Sequence, residues 1–336
     1  MNILYTGCHE ILEYEECKLF TEIGHDVFSY QGSYMDPKGH PTLKRPGILG
    51  MKLHEDLVRL AIRPKTDLPP EIIEWADTLI VMGGITDYAL VENWPRIKHK
   101  KVIWRTIGQS RSENERMLAP LRAEGLKIVR YSPKESLIPG YIGADAMIRF
   151  YKDKDDLGVW EGKDKKVINI TQSLKGRARF CHYNEIMEMI AGFNAKIYGV
   201  GNDDLGALNG GRLDYDLLKG QLRDSRVFVY AGTYPAAYTL TFMEAFMAGI
   251  PIVSIGKKRS FIAGEEVFDF FEVPELIEHG ITGFVADNMG ELRSYIQQLL
   301  DNDELANRIS QAAQLRAVSL FGKQSIRTQW KTFLAK

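Results

Sequence analysis

Short apolar runs alternate with longer amphipathic stretches along this chain. Met1–Tyr5, His25–Tyr30, Asp77–Met82, Lys101–Arg105 and Leu126–Tyr131 are apolar runs rich in β-branched and aromatic residues, and each predicts a strand. An amphipathic stretch over about Tyr14–Ile23 follows the first run and predicts a helix. Strands separated by helices predict a parallel, doubly wound sheet with right-handed crossovers. The rhythm stops at Asp153–Lys166, which is polar, carries two glycines and has no apolar period, as a linker would. It restarts with Lys166–Thr171, Ala195–Gly199, Arg226–Tyr230, Ile250–Ile255 and Gly283–Ala286, which predict a second parallel sheet. Helical segments follow from about Met289 to Leu334. The expected class is α/β, with two Rossmann-like domains. One covers residues 1–150 and a linker 151–166. The second covers 167–318, and a last helix covers 319–336 and crosses back to the first domain. Two such domains facing each other leave a cleft lined by loops at the carboxyl ends of the strands.

Composition narrows the class of protein without naming a reaction. The 336 residues are 45% apolar and 26% charged, with a formal net charge of −1, which excludes a disordered or collagen-like chain. Cys8, Cys17 and Cys181 are odd in number and scattered, as expected of reduced thiols rather than a disulfide framework or zinc cage. The start, MNILYTGCHE, lacks the basic and long apolar regions of a secretion signal, and no apolar run is long enough to span a bilayer. The expected location is cytoplasmic, without membrane insertion.

The chemistry concentrates in Gly232–Gly256, GTYPAAYTLTFMEAFMAGIPIVSIG, which follows a strand and predicts loop, helix, tight turn and strand. The helix starts near Tyr238, Thr239 and Leu240, where free N–H groups suit a phosphate. Gly249 ends it, and Glu244 is the one acid within it, a candidate acceptor for ribose hydroxyls.

This segment resembles the donor-site helix of the family 4 retaining glycosyltransferases, which have the GT-B fold. EAFMAGIPIV matches from Glu244 onward, LIEHGITGFVAD (Leu276–Asp287) resembles the turn into the family's final helices, and the closing helical run resembles theirs. The resemblance covers about Val167 to the C-terminus; the first half matches in rhythm. It implies a nucleotide-sugar donor, a UDP-sugar, transferred to an acceptor hydroxyl with no bound cofactor and no metal. It further implies that the leaving diphosphate takes the acceptor's proton, so the protein supplies positioning and charge stabilisation.

Three departures accompany the match. Ala236 stands where the family has its first Glu, which contacts the donor sugar. The diphosphate clamp is drawn from Lys175, Arg177 and Arg179, because Gln172 and its neighbours do not follow the family's Gly-Arg spacing. The family's N-domain His after a strand is replaced by Thr106, Gly108 and Gln109 at the end of KVIWRT. Gly201, in Gly199-Val200-Gly201-Asn202, gives close backbone approach to a nucleotide, and Leu213 lies where the family holds the base.

In the first domain, Gly7-Cys8-His9-Glu10 follows the first strand. His9 and Glu10 are the candidate catalytic pair, although a lone His is more often structural. Gly7, Gly83, Gly84, Arg105 and Gln109 are candidate acceptor contacts at strand ends. Asp153-Lys154-Asp155 has the Asp-x-Asp spacing for Mg²⁺, but it lies in the linker and no metal is assigned.

Basic residues crowd Lys38–Lys65 and Arg96–Arg111, with Tyr34, Trp94 and Trp104 nearby. They fit either a solvated face or a polyanionic acceptor. The expected acceptor is a glycan, such as an anionic polysaccharide or lipid-linked sugar, with hydroxymethylated DNA bases as the alternative. A sugar-nucleotide epimerase and a non-enzymatic binding protein of the same fold are the remaining rivals.

Overall fold

The computed structural model describes residues 1–30, 66–83, 89–108, 110–265 and 269–336. The chain divides into two compact units, Met1–Phe150 with Ile326–Lys336, and Tyr151–Ser325.

The first unit holds a six-stranded sheet of β1 (Asn2–Thr6), β2 (Asp26–Ser29), β3 (Thr78–Gly83), β4 (Lys101–Thr106), β5 (Lys127–Arg130) and β6 (Ala146–Met147). Its order is β2-β1-β3-β4-β5-β6, and the pairings are parallel. β3 is buried along its whole length, which is why its sequence is a continuous apolar run rather than an alternation. Helices α1 (Glu10–Glu22), α2 (Pro70–Trp75), α3 (Ala89–Ile97) and α4 (Ser112–Ala123) connect the described strands.

The second unit begins with α5 (Lys154–Leu157) and β7 (Asp164–Ile170). It continues through α6 (Tyr183–Ile190), β8 (Ala195–Tyr198), β9 (Asn209–Gly211), α7 (Tyr215–Asp224) and β10 (Ser225–Tyr230). Next come α8 (Leu240–Ala248), β11 (Ile252–Ile255), α9 (Lys257–Ser260), α10 (Val273–Leu276) and β12 (Phe284–Ala286). Helices α11 (Met289–Asp301), α12 (Asp303–Phe321) and α13 (Lys323–Leu334) close the chain. The order is β12-β11-β10-β7-β8-β9, again parallel.

The ten strands expected from apolar runs are present within a residue or two; β6 and β9, short edge strands, are additional. The polar stretch expected as a linker belongs to the second unit: Asp153 caps α5, and Trp160 is buried with its indole N–H donating to Ser225 O at 2.8 Å. The last eleven residues belong to the first unit, where Trp330 is fully buried against Phe20, ring centroids 4.9 Å apart. Burying one such side chain contributes about 1.5–3 kcal/mol.

Each strand order reverses once, between β1 and β3 and between β7 and β10. In doubly wound sheets the crevice for a ligand opens at the carboxyl ends of that pair.

Candidate donor site and the strand-end loops

In the second unit the loops after β7, β8 and β10 meet beside the reversal. Asn202, almost fully buried, ties the first two together. Its Nδ2 donates to Thr171 O at 2.8 Å and Gly199 O at 3.2 Å, and its Oδ1 accepts from Leu174 N–H at 2.9 Å. Ser173 N–H donates to Val200 O at 2.7 Å. Gly199 is required here. Its φ is +137°, and a Cβ would sit 2.6 Å from Thr171 O. Gly201, φ +76°, is exposed beside Ser173. The glycines of this motif were legible in sequence; the role of Asn202 as the knot was not.

The loop after β10 leads to α8. Tyr230 is buried at the strand end, and burial pushes its phenol well above the ordinary range. The hydroxyl therefore stays protonated. It lies 3.0 Å from Thr239 Oγ1 and accepts from Thr239 N–H at 3.1 Å. Thr239 is the N-cap residue of α8, but its side chain does not cap the helix. The first-turn N–H groups thus have no cap from Thr239, as at a helix start that takes an anion. Tyr238 is buried, its ring against Phe321 at 5.3 Å, so only its backbone belongs to the loop surface. Leu240 and Leu213 are half-buried at loop ends, and Ala236 is half-buried with its N–H on Thr233 O.

Glu244 is 2% exposed on α8. Its Oε1 accepts from Lys152 Nζ at 2.9 Å, and Lys152 is 1% exposed. No donor to Oε2 is present among the described residues.

The three basic residues of the β7–α6 connection do not converge. Lys175 pairs with Asp204 at 3.6 Å. Arg177 folds back onto Gln172 O at 2.5 and 3.1 Å. Arg179 donates to Ala263 O and Glu265, both at 2.9 Å. The spacing in sequence grouped them; the turn that carries them fans them apart.

In the first unit, Gly7 follows β1, and a Cβ there would collide with the carboxylate of buried Glu13, which also accepts from Ser29 Oγ. His9 is the N-cap of α1, with Nδ1 3.5 Å from Leu12 N, and Glu10 is the first residue of that helix. Gly83 ends β3, where a side chain would collide with the Trp104 ring, so packing alone accounts for it. Arg105 is fully buried. It donates to Glu16 and to Ile148 O at 2.7 Å, and lies 3.9 Å from the Phe150 ring. Its guanidinium therefore serves an internal cluster and is not presented to an acceptor. Gly84 and Gln109 lie outside the described residues, as does the basic segment Lys38–Lys65.

The other basic run is paired in space although it has no acid in sequence. Arg96 reaches Leu68 O and Asp67, Lys98 reaches Glu124, Lys100 reaches Glu74 O, and Lys101 reaches Leu334 O.

A second buried network lies at the ends of β4 and β5. Arg130 makes a bidentate pair with Glu115 at 2.6 and 2.8 Å, with Glu135 3.7 Å away. Glu135 accepts from Thr106 Oγ1, Ser110 Oγ and Tyr131 N–H, at 2.8–2.9 Å, and so holds the loop after β4. Ser132-Pro133-Lys134-Glu135 is a capping box, whose Ser-x-x-Glu spacing is visible in the sequence. Burial raises the Glu135 carboxyl above its ordinary value, outweighing Arg130 and the hydrogen bonds. The folded state then binds this proton more tightly than the unfolded state. Its stabilising contribution is complete at low pH and is lost as pH rises through the raised folded value. Urea midpoints for Glu135→Gln should therefore improve relative to wild type from about pH 4 to about pH 8. A pH-independent difference would show that Glu135 titrates normally.

No group of three or more His, Cys, Asp or Glu suited to a metal occurs among the described residues.

Two six-stranded parallel sheets with flanking helices define the GT-B class of fold. Solved structures of that class match the chain at low identity. HepE of Anabaena, solved with UDP-glucose, matches at 15% identity and a TM-score of 0.67, over 100% of this chain and 99% of its own. A glycosyltransferase from Rickettsia africae matches at 14% and 0.64, over 99% and 97%. TarM of S. aureus, solved with UDP and alpha-GlcNAc-glycerol, matches at 13% and 0.54, over 77% of this chain and 55% of its own. No protein-family model and no curated protein sequence matches. Among the described residues no helix is long and apolar enough to cross a membrane.

Proposed function

We propose that the chain is a glycosyltransferase that takes a UDP-sugar and transfers the sugar to a glycan hydroxyl with retention of configuration. The observation that carries this is the cradle of the second unit. Its β8 loop is locked for close backbone approach by Gly199 and Asn202, and an uncapped helix start at Thr239 lies beyond β10. A nucleoside fits the first feature and a diphosphate the second. Glu244 is anchored through one oxygen by Lys152, and we assign its other oxygen to the ribose diol. HepE, which shares the fold, was solved with UDP-glucose. Lys175 and Arg177, each exposed and held by a weak or neutral partner, are free to turn toward the diphosphate when it arrives. Arg179 is the third candidate. His9 and Glu10 remain the proposed catalytic pair of the first unit, with Gly7 beside them.

The internal pairing of Arg96, Lys98, Lys100, Lys101 and Arg105 favours a glycan over a DNA acceptor, because these charges already have partners. UDP and UDP-glucose should raise the melting temperature where ADP and GDP do not, since a ligand that binds only the folded state stabilises it by mass action. No shift with any uridine nucleotide would sink the donor assignment. Glu244→Gln should weaken UDP-glucose binding about tenfold, the effect of one hydrogen bond to a charged acceptor. Its ligand-free melting temperature, measured alongside, separates this from loss of folding. The anomeric configuration of the product by NMR tests retention. Isomerised donor without acceptor would indicate an epimerase instead.

A further inference from the structure

A second concave site lies in the same unit, between the β7–α6 connection and the segment after β11. It is lined by Arg179, His182, Asn184, Glu185, Arg259 and Phe261, over a floor of small and aliphatic residues. No residue of the β8 loop or the loop before α8 lines it, and of the donor candidates it includes only Arg179.

Two of its side chains have polar atoms open to a ligand. His182 is 7% exposed, no hydrogen-bond partner for its imidazole is present among the described residues, and its ring nitrogens still reach solvent. Arg259 is half-buried. It donates Nε to Asp287 O at 2.5 Å, a neutral acceptor, and no carboxylate pairs with it among the described residues. Its two terminal nitrogens therefore remain available in the fork arrangement that suits two oxygens of one oxyanion. Arg179 contributes a second guanidinium, already bonded to Glu265 and Ala263 O. Burial lowers the His182 imidazole below its ordinary value, so it serves as a neutral N–H donor. The backbone supports this assignment. His182 has a left-handed conformation, φ +52° and ψ +50°, that a side chain rarely adopts, and it is the N-cap position of α6. The positive end of that helix adds to the same site.

We propose that this cavity binds a phosphate or carboxylate oxyanion, held by Arg259 and His182 and bordered by Arg179. Glu185 on the rim and Glu265 on Arg179 offset the positive charges, so the site takes a single oxyanion group rather than a polyanion. Phe261, 41% exposed, offers an apolar face to the body of the ligand. The site shares its loop with the donor cradle: Tyr234 N–H donates to Phe180 O at 2.8 Å, and Cys181 Sγ lies 3.7 Å from Thr233 Oγ1. An occupant would therefore brace the loop before α8 from the opposite side.

The test is a titration of the whole protein with inorganic phosphate, and in parallel with acetate, followed through the His182 ring resonances assigned with His182→Gln. The expected result is a saturable shift in the millimolar range that persists in saturating UDP. Arg259→Met should weaken it about tenfold or more while UDP binding is unchanged. Saturation by phosphate alone identifies a phosphate ligand, and by acetate as well a general oxyanion. No saturable response from wild-type His182 to either ion overturns the proposal. So does a response abolished by UDP, which would place the anion in the donor cradle. The wild-type titration decides the matter even if the variant fails to fold.

Discussion

Replacing Lys152 with alanine should destabilise the second unit by about 3–5 kcal/mol, because it strands the Glu244 carboxylate in the protein interior. The pair is nearly inaccessible at both ends. An exposed pair of the same length would contribute about 0–1 kcal/mol, so the size of the loss discriminates between the two situations. Lys152 also donates its backbone N–H to Phe321 O at 2.9 Å, but alanine keeps that bond. The loss therefore reports the side chain, its ammonium group together with its buried stem. The check is urea unfolding, with amide exchange in α8 to confirm that the second unit is the one that opens. Adding Glu244→Leu to Lys152→Met should restore most of the stability, since a buried ion pair can be exchanged for apolar packing at little net loss. That double variant should still fold and should bind UDP-glucose poorly, which separates the structural task of the pair from its proposed task at the ribose. An unchanged urea midpoint in Lys152→Ala would mean that the pair is not buried in solution.

Arg130→Ala should have an effect of similar size on the first unit, again about 3–5 kcal/mol, since two buried carboxylates depend on one guanidinium. The pH dependence is the sharper signature. Without Arg130, Glu115 and Glu135 lose their countercharge, and the folded value of Glu135, already raised by burial, rises further above its unfolded one. A raised folded value favours the folded state at low pH, so the defect should be largest near neutrality and should shrink on acidification. Urea midpoints of wild type and variant at about pH 5 and about pH 8 test this. A defect independent of pH would show that packing, not charge, is lost. Thr106 and Ser110 hang from Glu135, so the loop after β4 should also exchange its amides faster in the variant.

The strands were legible because parallel strands covered on both faces are written as unbroken apolar runs, as in β3 and β10. β9, Asn209–Gly211, was not, because two glycines and an asparagine carry no such signal. Helix α8 was legible down to its terminating Gly249, which takes the left-handed conformation expected of a helix stop. Charge was the least readable property. Arg96–Arg111 lacks acids along the chain, yet its partners come from α2, from the end of α4 and from the final helix, all remote in sequence. Arg105 illustrates the same point. Its site at a strand end suggested a ligand contact, whereas Glu16, on α1 and 89 residues away along the chain, takes its charge. Asn202 and His182 gain their meaning only from loops that fold onto them.

The position of Trp330 has a consequence for how the protein is made. The core of the first unit includes residues that follow the whole of the second unit along the chain, since the second unit spans Tyr151–Ser325. During synthesis the unit begun first is therefore completed second. Until the final helix emerges, Phe20 and the Arg105 cluster lack their cover, and the nascent first unit presents an apolar groove that a chaperone can hold.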